Sequence, residues 1–118
     1  MATMVMTGIV GALHVWIMIL EMFLWTKAPG RKLHGQPPEM AEKTRALAAN
    51  QGLYNGFLAA GLFWSLATAD PGLAHALQIF FLGCVFVAGI FGAATANRKI
   101  LFVQALPAAV ALAVVFFS

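Results

Sequence analysis

Apolar residues in this chain run unbroken instead of alternating with polar ones. Four such runs cover residues 4–26, 46–69, 73–96 and 100–117, and the gaps between them hold most of the proline and charge. A hydrocarbon core about 30 Å thick needs roughly 20 apolar helical residues. Each run therefore predicts a membrane-spanning helix, the last one, at 18 residues, with little tilt. Strands are disfavoured, because barrel strands alternate and a closed barrel needs about eight of them or more. The expected fold class is all-α: an integral membrane protein whose four transmembrane helices form one antiparallel bundle over residues 1–118.

Charge sets the expected orientation. Lys27, Arg31, Lys32, Lys43 and Arg45 lie between the first and second runs, and Arg98 and Lys99 between the third and fourth; these are all seven basic residues. Loops rich in Lys and Arg stay in the cytoplasm, so residues 27–45 read as a cytoplasmic loop, the turn at 70–72 as external, and both termini as extracytoplasmic. The bacterial inner membrane is the expected location and the lipid bilayer the first partner. A composition of 62% hydrophobic and 9% charged residues agrees with this reading. The net charge of +3 is accounted for by topology, and the aromatic residues lie inside the runs, so no nucleic-acid partner is expected. Cys84, the single cysteine, sits mid-run and reads as a small apolar side chain. The first run has no basic n-region and is too long for a signal-peptide core, so it reads as a retained helix.

In the first gap, Ala28, Pro29 and Gly30 are expected to end the first helix. Pro37 and Pro38, followed by Glu39, predict that the second begins near Pro38, with Glu39 and Lys43 as an i,i+4 pair. Arg31, Lys32 and His34 read most simply as a solvated connector. A lipid-headgroup or ligand-gating role is the sharper alternative.

Glu21 is the only acidic residue inside an apolar run. An ionisable group at the centre of a transmembrane helix costs about 2.5–3.5 kcal/mol and points to function. Glu21 precedes Lys27 by six residues, which places it about 9 Å below that end of its helix. Thr7, Gly11, His14, Met18, Glu21 and Trp25 recur at three and four residues and form one stripe. On the second run, Asn50, Tyr54, Phe57, Gly61 and Trp64 share a face, with Gln51 and Asn55 beside them. Gly52, Gly56 and Ala60 make a small-residue ridge on the other side, and Ala88, Gly92 and Ala96 a second ridge on the third run. The fourth run adds Gln104, with Pro107 three residues on, which frees the Val103 carbonyl and bends the helix.

Glu21, His14, Asn50, Gln51, Tyr54, Asn55, Gln104, Trp25 and Trp64 are the expected ligand-binding residues of a cytoplasm-facing polar pocket. Interhelical hydrogen bonding explains the amides and Tyr54 almost as well. It explains Glu21 less well, since an amide would serve at lower cost. His14 and Glu21 are i,i+7, too far apart to hold one ion from a straight helix, and no nucleotide loop or catalytic motif is present. No metal, cofactor or catalytic residue is expected.

The segments LHVWIMILEMFLWT (13–26), AANQGLYNGFLAAGL (48–62), AGIFGAAT (88–95) and LFVQALPA (101–108) resemble an uncharacterised family of small bacterial and fungal integral membrane proteins, known only by a domain-of-unknown-function label. The resemblance covers nearly the whole chain. It implies a four-helix membrane protein and carries no activity.

Three functions follow from these residues. The first is binding or proton-coupled transport of a small amphipathic molecule, with a homodimer expected because four short helices rarely enclose a path alone. The second is an intramembrane acid/base enzyme, an isomerase or cyclase on a lipophilic substrate, using Glu21 and His14. The third is an accessory subunit docked through the two small-residue ridges.

Overall fold

The computed structural model describes residues 1–96 and 98–117, apart from the side chains of Leu33 and His34, so the expectation for His34 lies outside the described residues. Among them are six α-helices: α1 (Ala2–Met22), α2 (Ala28–His34), α3 (Pro38–Lys43), α4 (Arg45–Ala67), α5 (Pro71–Thr95) and α6 (Leu106–Phe117), with a π-helical turn at Leu101–Ala105 leading into α6.

This arrangement corrects the four-span antiparallel bundle. Among the described residues, only α1 and α5, of 21 and 25 residues, are long and apolar enough to cross a membrane, and the expected placement of both termini falls with the span count. The physical reasons differ for the other two runs. The α4 helix carries Asn50, Gln51, Tyr54 and Asn55 within two turns, which dilutes its apolar character. The last run yields an apolar helical stretch of only Leu101–Phe117, below the roughly 20 residues a bilayer core requires.

The first gap is also more structured than expected. Ala28, Pro29 and Gly30 do not end α1, which stops at Met22; they open α2 instead. Proline in a first helical turn loses no hydrogen bond, because the N–H it lacks would have had no intrahelical partner. The α2 helix ends at Gly35, whose φ of +62° is left-handed and favours glycine, and the Gly35 and Gln36 N–H groups both return to the Arg31 carbonyl. The α3 helix begins at Pro38 as its sequence signals, then breaks at Thr44 before α4 starts at Arg45. The ion pair recorded here is Glu42 with Arg45, at 3.5 Å and solvent-facing, in place of the expected Glu39 with Lys43. An exposed pair of this kind contributes only about 0–1 kcal/mol.

The chain divides into two compact units, one of residues 1–12 and 58–118 and the other of residues 13–57. In the first, Val10, Leu62, Leu82, Val85, Ala108, Ala111 and Val115 form a buried apolar core, with Phe81 and Leu112 packed against it. The α5 helix starts where Asp70 Oδ1 accepts from the Gly72 and Leu73 N–H groups, at 2.9 and 3.3 Å, and Pro71 fills the first turn. Close contact between α5 and the last helical stretch runs through Gly89, where a Cβ would stand 2.6 Å from the Ala105 nitrogen. Of the expected ridge, Gly92 meets the Ile100 side chain, which a Cβ there would approach to 3.2 Å, while Ala88 and Ala96 are exposed. The expected distortion near Pro107 takes the form of the π turn: the Leu106 N–H reaches back to Leu101, five residues earlier. That wider turn shifts the bonding ladder just ahead of a residue with no N–H to offer.

The second unit has its own small core of Trp25, Ala41 and Ala48. Gly30 lets α2 lie directly on the chain leaving α1, since a Cβ there would collide with the Leu24 carbonyl and the Trp25 backbone.

Candidate binding site around Glu21

Within the second unit, α4 packs on α1 through its glycines. A Cβ on Gly52 would stand 2.6 Å from Met22 Cγ and 3.1 Å from both Glu21 Cβ and the Met18 carbonyl oxygen. One turn further on, a Cβ on Gly56 would meet Met18 Sδ at 2.7 Å. Absence of side chains at these two positions is what allows the helices to approach so closely. The expected ridge is real at Gly52 and Gly56 and does not extend to Ala60, which is exposed.

That close approach carries Asn55 to Glu21. Asn55 Nδ2 donates to Glu21 Oε1 at 2.5 Å, across a separation of 34 residues. Glu21 is only 9% exposed. A carboxylate offers about four lone-pair sites on two oxygens, so one amide leaves acceptor capacity for a further donor. His14, two turns earlier on α1, is fully buried.

Trp25 sits in the small buried core of the same unit. Its indole Nε1 donates to Thr44 Oγ1 at 3.0 Å, and Thr44 Oγ1 in turn lies 2.8 Å from the Met40 carbonyl. Thr44 thus ties the α3–α4 junction to the chain just past α1. Sequence reasoning missed Thr44; a lone hydroxyl between two helix-forming stretches was the available signal.

The other expected site residues are placed differently. Asn50 is exposed and its Nδ2 donates to the Ala46 carbonyl of its own helix at 3.2 Å. Gln51 is exposed, and Tyr54 is 58% exposed with its ring edge-on to Phe57, centroids 5.9 Å apart. The face of α4 expected to line a pocket is therefore an outward one, and the face that meets α1 is the glycine face with Asn55. Trp64 and Gln104 belong to the first unit, Trp64 exposed and Gln104 half-buried.

Comparison with known proteins places the chain in a family. The family described as "Protein of unknown function (DUF1304)" matches residues 8–116. The chain belongs to it. The four-helix membrane architecture attached above to the family resemblance is corrected by the six helices and two candidate spans found here, and the inner-membrane assignment goes beyond what two apolar helices specify. The chain is similar to the uncharacterised protein YpaA of Lactococcus lactis subsp. lactis (strain IL1403), at 27% identity over 117 residues, covering 98% of this chain and 97% of that protein. No solved structure matches it.

Proposed function

We propose that this protein is membrane-embedded through α1 and α5 and binds a small amphipathic molecule whose polar end is taken by Glu21. The observation that carries the reading is the Asn55–Glu21 hydrogen bond on a mostly apolar helix. A Gln at position 21 could pair with Asn55 equally well and at less cost in lipid, so a purely structural need does not require a carboxyl group. What a carboxyl adds is charge, a proton it can release, and acceptor capacity for a cationic or hydrogen-bond-donating head group. Binding such a group in exchange for the proton, and regaining the proton on release, would couple ligand movement to a proton gradient. The apolar remainder of the ligand would lie among aliphatic side chains such as Met18 and Met22, whose unbranched thioethers adapt to varied shapes.

Mass spectrometry of lipids and small molecules co-purifying with wild type and with Glu21→Gln tests this. The expected result is a compound retained by wild type and lost from the variant, with both samples monodisperse. Identical extracts from two well-folded samples would assign Glu21 to helix packing.

A further inference from the structure

Just beyond α1, residues Ala28, Arg31, Lys32, Gly35 and Gln36 line a cleft of about 330 Å³. Two of the five lining residues are cations and none is acidic. Arg31 Nε is buried and has no hydrogen-bond partner among the described residues. A buried guanidinium N–H with no acceptor is unusual, since buried donors are nearly always satisfied.

The four acidic side chains are placed elsewhere. Of the four acidic residues, Glu21 accepts from Asn55, Glu42 pairs with Arg45, and Asp70 caps α5. Glu39 is exposed in the first turn of α3, where the helix dipole favours it. The Gly35 and Gln36 N–H groups are bonded to the Arg31 carbonyl, and the polar side chains of the residues lining the cleft are those of Arg31, Lys32 and Gln36.

We propose that this cleft binds a phosphate group, carried on the head group of an anionic lipid or free in solution. The chemistry is shared by both sources: a planar guanidinium with a fixed fork of donors and an ammonium beside it are suited to tetrahedral oxyanions. The position favours the lipid. Arg31 and Lys32 follow a candidate span by nine and ten residues, and Lys27, Lys43 and Arg45 add to a basic segment of the kind that attracts anionic head groups. Only the lipid arm rests on the membrane reading of α1; the site itself does not.

The test uses the full chain in a neutral detergent, titrated separately with dioleoyl-phosphatidylglycerol, with dioleoyl-phosphatidylcholine and with inorganic phosphate, and read by native mass spectrometry. Four proteins are compared: wild type, Arg31→Gln/Lys32→Gln, Arg31→Lys, and Lys43→Gln/Arg45→Gln, which removes the same charge outside the cleft. The expected result is that the first double variant binds phosphatidylglycerol about tenfold or more weakly than wild type, while the second keeps most of the affinity. Arg31→Lys, which keeps the charge without the Nε–H donor and guards against misfolding of the double variant, is expected to lose about fivefold. The same pattern with inorganic phosphate alone would assign the cleft to a free anion. Equal affinity in wild type and Arg31→Lys, or equal losses in the two double variants, would overturn the site. No variant touches Glu21 or Asn55, so the co-purification assay on the same samples separates failure of this inference from failure of the Glu21 reading.

Discussion

At the scale of single residues, Asn55 and Asn50 are five positions apart with the same side chain, yet they do different work. Asn55 donates to a nearly buried carboxylate, whereas Asn50 bonds its own helix and faces outward. A hydrogen bond to a charged group is worth about 1.5–3 kcal/mol. Asn55→Ala is therefore expected to weaken ligand retention by about tenfold or more, and Asn50→Ala to leave it within about twofold, both by comparison of co-purified ligand. Equal effects would remove Asn55 from the site. Trp25 offers a second residue-level prediction. Trp25→Phe keeps the ring against Ala41 and Ala48 but loses the bond to Thr44. The expected cost is about 1 kcal/mol for the lost bond, seen as a modest drop in Tm in detergent. No change would mean that Thr44 is satisfied as well by other means. The difference between Asn50 and Asn55 depends on which face of α4 packs, and both faces look usable in the sequence.

Between elements, the determining contacts pass through glycine, and the neighbours they meet differ in rigidity. At Gly56 an added Cβ would meet Met18 Sδ, part of a flexible side chain that can swing aside. At Gly89 it would meet the Ala105 nitrogen at 2.6 Å and the Ala105 Cα at 2.8 Å, which cannot move without shifting the π turn. Overpacking of this kind costs about 1–3 kcal/mol. Gly89→Ala is thus expected to lower Tm clearly more than Gly56→Ala, measured on the two variants side by side. The reverse order would place the tighter helix contact on the α1–α4 side. The expected ridge on the third run sat at Ala88, Gly92 and Ala96, because spacing alone suits either register. Gly89 meets the backbone of Ala105, the last residue of the π turn, and Gly92 meets the Ile100 side chain just before that turn, whereas Ala88 and Ala96 are exposed. The same limit explains α2: a Pro–Gly pair signals a break in sequence, and only the structure shows that the chain restarts as helix on its far side.

For the whole molecule, the question is whether α1 and α5, the two helices long and apolar enough among the described residues, cross a membrane. Cys84 is the sole cysteine and lies half-buried within α5, so the natural chain carries its own probe. If α5 crosses a bilayer, a charged maleimide added to intact vesicles is expected to leave Cys84 unlabelled, with full labelling after solubilisation in SDS. Rapid labelling in intact vesicles would overturn α5 as a span.

Helical class, the apolar character of α1 and α5, the isolation of Glu21, the start of α3 at Pro38 and the disturbance ahead of Pro107 were all determined by the sequence. Each depends on local terms: hydropathy summed over a run, a missing N–H, a charge among apolar neighbours. The number of candidate spans was not, because run length counts apolar residues and does not register how Asn50, Gln51, Tyr54 and Asn55 dilute α4, or how the last run is shortened. Nor was the identity of the partner that holds Glu21. Tertiary structure decided that when Gly52 and Gly56 let α4 close on α1, since a hydrogen bond between residues 34 apart depends on which helix faces meet, and no local rule sets that.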